Sequence, residues 1–221
     1  MSESEIERNV VSELTPFFEY IRSMDKKSKE FGLFDKALLD FYKKMERVME
    51  IMKFLILDAE VLAEDLESKK IREQAAKETI YLVFWYFGLL ESVGNSLADF
   101  LVMLLVANGK DFHIESLHRT PRIRHATSVK DLEEERVPLT TKLNFMNENG
   151  LSQICSVIDT NFRNSIAHMK IDIEKGVIYV KIGNKRKPAL RMAVIGSLNF
   201  LKVTAQINHL LRQLVKDLIH E

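Results

Sequence analysis

Apolar residues recur at intervals of three and four over most of the chain, the spacing of amphipathic helices. The clearest series has ten members: Phe34, Leu38, Phe41, Met45, Val48, Met52, Leu55, Ala59, Leu62 and Leu66. Alternating steps of four and three place them along one side of a helix that packs lengthwise on another helix. We interpret the series as half of a long antiparallel helical hairpin within the chain. A dimerisation coil is the alternative.

The same spacing predicts five further helices. They cover residues 3–29 (kinked or broken at Pro16 and ended by Phe31-Gly32), 71–107, 140–147, 152–169 and 189–219. The most apolar stretch, residues 79–90, is shorter than the roughly 20 residues that span a bilayer. It therefore predicts a buried helix of a soluble protein, for which the cytoplasm is the default location.

The period changes from helical to strand-like after residue 169. Residues 170–173 and 177–182 alternate between apolar and polar around Glu174-Lys175-Gly176, which predicts one small β-hairpin. Residues 110–138 show no period and are predicted to be irregular. The fold class is therefore all-α with one small hairpin, divided into a helical extension over 1–70 and a helical domain over 71–221.

Composition limits which partners and cofactors the protein is expected to bind. With 32 basic and 32 acidic residues the net charge is zero, so nucleic-acid binding requires a local basic patch. Two segments predicted to be basic loops, residues 118–125 and 183–188, supply candidates: Arg119, Arg122 and Arg124 in the first, and Lys185, Arg186 and Lys187 in the second. The single cysteine, Cys155, excludes an internal disulfide and a cysteine-based zinc cluster. No metal and no other cofactor is expected.

A polar stripe interrupts the apolar helix predicted over 71–107. Glu91, Asn95 and Asp99 are spaced by four residues and share one helix face. Because a buried carboxylate is costly without a partner, a buried stripe requires a cation, a second chain or water. A solvated stripe on an exposed edge is the alternative.

Arg163, Asn164 and His168, near the end of the helix predicted over 152–169, carry groups suited to phosphate chemistry. A guanidinium binds two phosphate oxygens at once, and an imidazole exchanges protons near neutral pH. About 140° separates Arg163 from His168 on an ideal helix. A shared site therefore depends on the helix end and on a second chain. A capping histidine beside a surface arginine is the simpler interpretation.

The string FRNSIAH, followed by MKIDIEKGVIYVKI, resembles the signature of the HEPN superfamily. That signature is an arginine, four to six intervening residues that begin with a polar one, and a histidine. It stands here as Arg163-Asn164-Ser-Ile-Ala-His168, and the resemblance extends over residues 71–219. It implies a HEPN-like helical bundle that forms a homodimer, in which arginine and histidine from both protomers meet in a cleft.

Active members of that superfamily resemble metal-independent endoribonucleases. The resemblance implies that His168 is the general acid and base, that Arg163 stabilises the phosphorane, and that Asn164 orients the phosphate or His168. Glu91, Asn95 and Asp99 would support them. The implied partners are an RNA substrate and, for toxin-like defence members, an antitoxin or other regulator. A non-catalytic module that binds RNA or nucleotides, or that only dimerises, remains the alternative.

Overall fold

A computed structural model of the chain describes residues 3–45, 75–115 and 123–220. The helices are α1 (Glu3–Ser23), α2 (described over 29–45), α3 (Ala75–Leu89), a π-helical turn (Leu90–Gly94), α4 (Asn95–Ala107), α5 (Val129–Glu134), α6 (Leu139–Glu148), α7 (Ser152–Ser156), α8 (Thr160–Ala167) and α9 (Ala189–His220). The strands are β1 (His113–Glu115), β2 (Ile123–His125), β3 (Ile171–Glu174), β4 (Val177–Ile182) and β5 (Lys185–Pro188). The protein is mostly helical, as predicted.

Contacts between residues divide the chain into two compact units. Unit 1 comprises Met1–Lys44, Asn95–Val157 and Leu201–Glu221, and unit 2 comprises Met45–Gly94 and Ile158–Phe200. The boundary predicted at residue 70, and the heptad series beyond Met45, lie outside the described residues. Residues 3–44, which the sequence assigned to an extension, belong to unit 1 together with α4, α6 and α7.

The core of unit 1 forms around α4, almost all of which is buried. The Phe100 ring stacks on Phe41 at a centroid distance of 5.0 Å and lies 6.3 Å from Phe34. The first four members of the heptad series are all buried: Phe34, Leu38, Phe41 and Met45. The described start of that series is therefore the packing face of α2.

The first helical break differs from the prediction. The helix expected over 3–29 ends at Ser23, continuous through Pro16, and Phe31 and Gly32 lie inside α2. Two local side-chain bonds explain the change. Asp25 accepts the Lys27 amide at 2.9 Å, and the Ser28 hydroxyl accepts the Phe31 amide at 3.0 Å as the N-cap of α2.

The segment predicted to be irregular, 110–138, contains regular structure. Strands β1 and β2 pair antiparallel with His113 opposite His125, and α5 follows. Ser128 caps α5 by accepting the Asp131 amide, and the Asp131 carboxylate accepts the Ser128 hydroxyl at 3.0 Å. Ser-x-x-Asp before an apolar residue is a recognised helix-start signal that the period-based prediction passed over.

The helix predicted over 152–169 is two helices. α7 ends at Ser156, and α8 starts after Asp159, whose carboxylate accepts the Phe162 amide at 2.8 Å. An aspartate at this position accepts a backbone N–H as an N-cap residue. Its side chain therefore interrupts the first helix and starts the second. The break falls at the boundary between the two compact units.

Unit 2 contains a three-stranded antiparallel sheet in the order β3-β4-β5. The predicted hairpin forms through a two-residue turn at Lys175-Gly176, where both residues have positive φ (50° and 77°), as a type I′ turn requires. The sequence predicted only this two-stranded hairpin, whereas the sheet has three strands. Lys185–Pro188, interpreted from sequence as a basic loop, pairs with β4 as a third strand.

The stretch Thr79–Ala107 is, among the described residues, the one helical segment long and apolar enough to cross a membrane by length and composition. Of its most apolar window, 72% is buried inside the protein. Such burial is typical of a core helix, as the sequence predicted. The helix ends where predicted, because Gly109 (φ 79°) donates to Val106 O and Lys110 to Leu105 O.

Cys155 lies partly buried on α7, where its Sγ is 3.4 Å from the Leu143 carbonyl oxygen. Burial, and then the negative charge of Glu13, raises the pKa of its thiol to about 12. The thiolate population at neutral pH should therefore be roughly a thousandfold below that of a free cysteine. We expect Ellman's reagent to label native protein far more slowly than protein unfolded in guanidinium. Equal rates in the two conditions would contradict this.

Candidate functional site

The short helix α8 carries Arg163 and Asn164, has His168 as its C-cap, and is anchored by its apolar side. Phe162 and Ile166 are fully buried, and the Phe162 ring lies 5.0 Å from that of Tyr86 on α3. These contacts fix the helix within unit 2 and leave Arg163 and Asn164 partly exposed.

Arg163 is held by two acceptors. Its Nε forms an ion pair and hydrogen bond with Glu91 Oε1, and its Nη1 donates to Asn164 Oδ1 at 3.0 Å. The side chains of Arg163 and Glu91 are 31% and 34% exposed, so the pair lies at the surface of unit 2. Within the described residues, Arg163 Nη2 has no hydrogen-bond partner. One guanidinium nitrogen is thus left for a phosphate oxygen.

Glu91 belongs to the π-helical turn that separates α3 from α4. A π turn adds a residue to a helical turn and redirects the side chains around it, and such turns are frequent at functional sites. The sequence placed residues 71–107 in one regular helix. The observed turn presents Glu91 to Arg163, 72 positions further along the chain.

His168 ends α8 as its C-cap residue. The next two amides close a Schellman motif, Met169 N–H to Ile166 O at 2.9 Å and Lys170 N–H to Ser165 O at 2.8 Å, and Met169 has a φ of 51°. The His168 side chain is exposed and, across the described parts of the chain, makes no hydrogen bond or ion pair. Its imidazole is free to meet a ligand.

The sheet fixes the end of α8. The buried Ser165 hydroxyl donates to Lys181 O at 2.8 Å, and the Lys181 amide donates to Lys170 O at 2.9 Å. Both bonds join the His168 turn to β4. The backbone that carries the histidine is therefore restrained from the helix side and from the sheet side.

The polar stripe expected over Glu91, Asn95 and Asp99 divides between the compact units. Glu91 in unit 2 joins Arg163, whereas Asn95 and Asp99 are part of unit 1, where Asn95 is half-buried. Asp99 is buried, and its Oδ1 lies 2.6 Å from Lys142 Nζ. At Asp99 the interpretation of a buried carboxylate with a cation is confirmed, and the solvated alternative is wrong.

The predicted RNA-binding residues are placed unevenly. Arg119, Arg122 and the side chain of Arg124 lie outside the described residues. Arg186 pairs with Asp172 at 3.3 Å and Glu174 at 2.9 Å and covers the Tyr179 ring at 4.7 Å.

Lys185 and Lys187 are exposed on β5. The charge of Arg186 is largely neutralised within the sheet, so these two lysines are the free cations of the second basic segment.

The structure assembles one polar cluster that the sequence reasoning missed. Asp111, His113 and His125 in unit 1 place potential ligand atoms within 4.8 Å of one another, and all three are exposed. The cross-strand pairing of His113 with His125 creates it. No strand was predicted in this segment, so the only sequence signal was the presence of two histidines and an aspartate in one stretch.

Compared with protein-family models, with curated proteins and with solved structures, the chain matches none.

Proposed function

We propose that the protein is a cytoplasmic, metal-independent endoribonuclease of the HEPN type that acts as a homodimer. The observation that carries the proposal is the arrangement of α8. Arg163 is fixed by Glu91 and Asn164, while the unpaired imidazole of His168 is exposed at the restrained end of the same short helix.

In this proposal His168 accepts the proton of a ribose 2′-hydroxyl or returns one to the departing 5′-oxygen. The 2′-oxygen attacks the phosphorus, the P–O5′ bond breaks, and the products are a 2′,3′-cyclic phosphate and a 5′-hydroxyl. Arg163 stabilises the added negative charge of the phosphorane through Nη2. Glu91 and Asn164 are positioning residues, because they act through the guanidinium.

Exposed apolar side chains of unit 2 support a homodimer. Helix α3 exposes Ile80, Tyr81 and Phe84, and α9 exposes Ile195 and Leu198. Large exposed apolar residues on neighbouring turns are typical of association surfaces. A second chain would also answer the geometric problem of Arg163 and His168 lying about 140° apart on an ideal helix.

One observation favours a non-catalytic binding or assembly module instead. The Glu91 carboxylate neutralises part of the Arg163 charge, which weakens its attraction for a phosphorane. In that alternative the protein forms a dimer and binds RNA or nucleotide without cleaving it, and substitution of His168 leaves binding unchanged.

The test is cleavage of single-stranded and structured RNA by the purified full-length chain in EDTA, with mass spectrometry of the product ends. We expect His168→Ala to slow cleavage about a hundredfold, the typical contribution of one acid–base group. His209→Ala, an exposed histidine on α9, is the matched control and should cleave as the wild type does.

Two results separate the proposals. Cleavage by wild type that is no faster than by His168→Ala would eliminate the endoribonuclease. RNA binding and dimerisation that persist in both proteins without cleavage would then establish the binding module.

A further inference from the structure

We propose that Asp111, His113 and His125 form a binding site for one divalent transition-metal ion, with Zn²⁺ the best match. The site belongs to unit 1 and does not depend on the proposed ribonuclease activity, which requires no metal.

The pleat of the ribbon explains why these residues meet. Side chains alternate across a strand, and directly opposed residues of an antiparallel pair share one face. Phe112 and Ile114 are buried, so His113 between them faces outward. His125, paired with His113, is exposed and precedes the buried Ala126, so it lies on the same outer face.

The inner face holds the ribbon in place. The Phe112 ring packs edge-on against Phe145 of α6 at a centroid distance of 4.8 Å. The Ala126 amide donates to Phe112 O at 3.0 Å and extends the pairing by one bond beyond His113 and His125. The two histidines thus stand on a backbone anchored to a helix.

Asp111 brings a carboxylate to both imidazoles. One of its oxygens, Oδ1, lies 2.5 Å from His125 Nδ1, and the other, Oδ2, lies 3.9 Å from His113 Nε2. The two rings are 4.8 Å apart between centroids. Each residue can therefore direct one ligand atom to a common point.

The donor set matches zinc chemistry. Two imidazole nitrogens and one carboxylate oxygen are ligands that Zn²⁺ takes at about 2.0–2.1 Å, and three protein ligands leave a fourth position open. Tetrahedral coordination separates ligand atoms by roughly 3.3 Å. The present atoms lie within 4.8 Å of one another, and rotation of exposed side chains closes that difference.

The same contacts have a simpler explanation. A hydrogen bond between Asp111 and His125 links β2 to the segment before β1, and the three residues bind no metal. The two explanations differ in their response to metal, so a metal titration decides between them.

The experiment uses the full-length chain without a histidine tag, stripped with chelator and dialysed. Zn²⁺ is titrated calorimetrically, and Co²⁺ is followed by visible absorption, which is intense for tetrahedral coordination. We expect one ion per chain, a rise in Tm on addition of Zn²⁺ that EDTA reverses, and tetrahedral Co²⁺ bands.

His113→Ala, His125→Ala and Asp111→Asn should each weaken Zn²⁺ binding at least about tenfold. His209→Ala should bind as the wild type does. All four positions are exposed, so the variants are expected to fold, which circular dichroism without metal verifies. Failure of the wild type to bind Zn²⁺ at 100-fold molar excess, or full affinity in the three site variants, would overturn the proposal. RNA cleavage in EDTA tests the other unit separately.

Discussion

Replacing Lys142 by Met is expected to lower the free energy of unfolding by about 3–5 kcal/mol at pH 7. Lys142 on α6 and Asp99 on α4 are both almost completely buried, with Nζ and Oδ1 2.6 Å apart. The substitution keeps the buried stem but leaves the carboxylate without its cation. Urea unfolding at equilibrium measures the loss.

The loss should depend on pH with a definite sign. Burial raises the pKa of Asp99, and Lys142 lowers it by less. The folded protein therefore binds this proton more tightly than the unfolded chain does. The contribution of Asp99 to the free energy of unfolding is most favourable below the pKa of its carboxyl in the unfolded chain. That contribution is lost as the pH rises through the pKa of the same carboxyl in the folded protein. Because Lys142→Met removes the lowering charge, its destabilisation should shrink as the pH is reduced from 7 toward 4.

A double substitution distinguishes pairing from packing. Leu has the branched shape of Asp, so Asp99→Leu with Lys142→Met replaces the pair by an apolar contact of similar volume. Since desolvation outweighs attraction at Asp99, the double variant should be as stable as the wild type or more stable. A double variant less stable than the wild type would contradict this. Lys130→Met, which breaks an exposed ion pair with Glu134, should cost less than about 1 kcal/mol.

Gly196→Ala is expected to lower the free energy of unfolding by about 2–3 kcal/mol, although alanine favours a helix interior by about 1 kcal/mol. A Cβ at this position would lie 2.6 Å from three atoms of the Tyr86 side chain, two ring carbons and the phenolic oxygen. That ring is buried and rests against Phe162, so it has no room to withdraw. The clash should therefore outweigh the propensity gain.

Gly88→Ala on α3 is the matched control. It also lies inside a helix, but a Cβ there would meet nothing within 4 Å. We expect a gain of up to about 1 kcal/mol from propensity alone. Thermal and urea unfolding of both variants measure the difference. Two variants of equal stability would contradict this prediction, because they would show that the Tyr86 ring moves to accommodate a Cβ at position 196.

Much of the secondary structure follows from local patterns. Helical periodicity predicted α6 and α9 to within two residues and the end of α4 at residue 107, and Lys175-Gly176 marked the hairpin turn. These features depend on residues close in sequence. Two predicted helix boundaries failed because local side-chain bonds overruled the periodicity: Asp159 restarted a helix, and Ser28 started another. The third strand has a different cause, because pairing with β4 formed it where a basic loop was expected.

The sequence by itself determined that the protein is mostly helical and that Arg163, Asn164 and His168 lie near the end of a helix. Only the tertiary structure decided what those residues meet. Glu91 reaches Arg163 from a π turn, Lys142 reaches Asp99 from another helix, and His113 faces His125 across two strands. These pairs join residues distant in the chain, through packing and register that periodicity does not encode. The physical reason is that helical spacing fixes the helix face on which a side chain lies, whereas the packing of helices and strands against one another determines which residue it contacts.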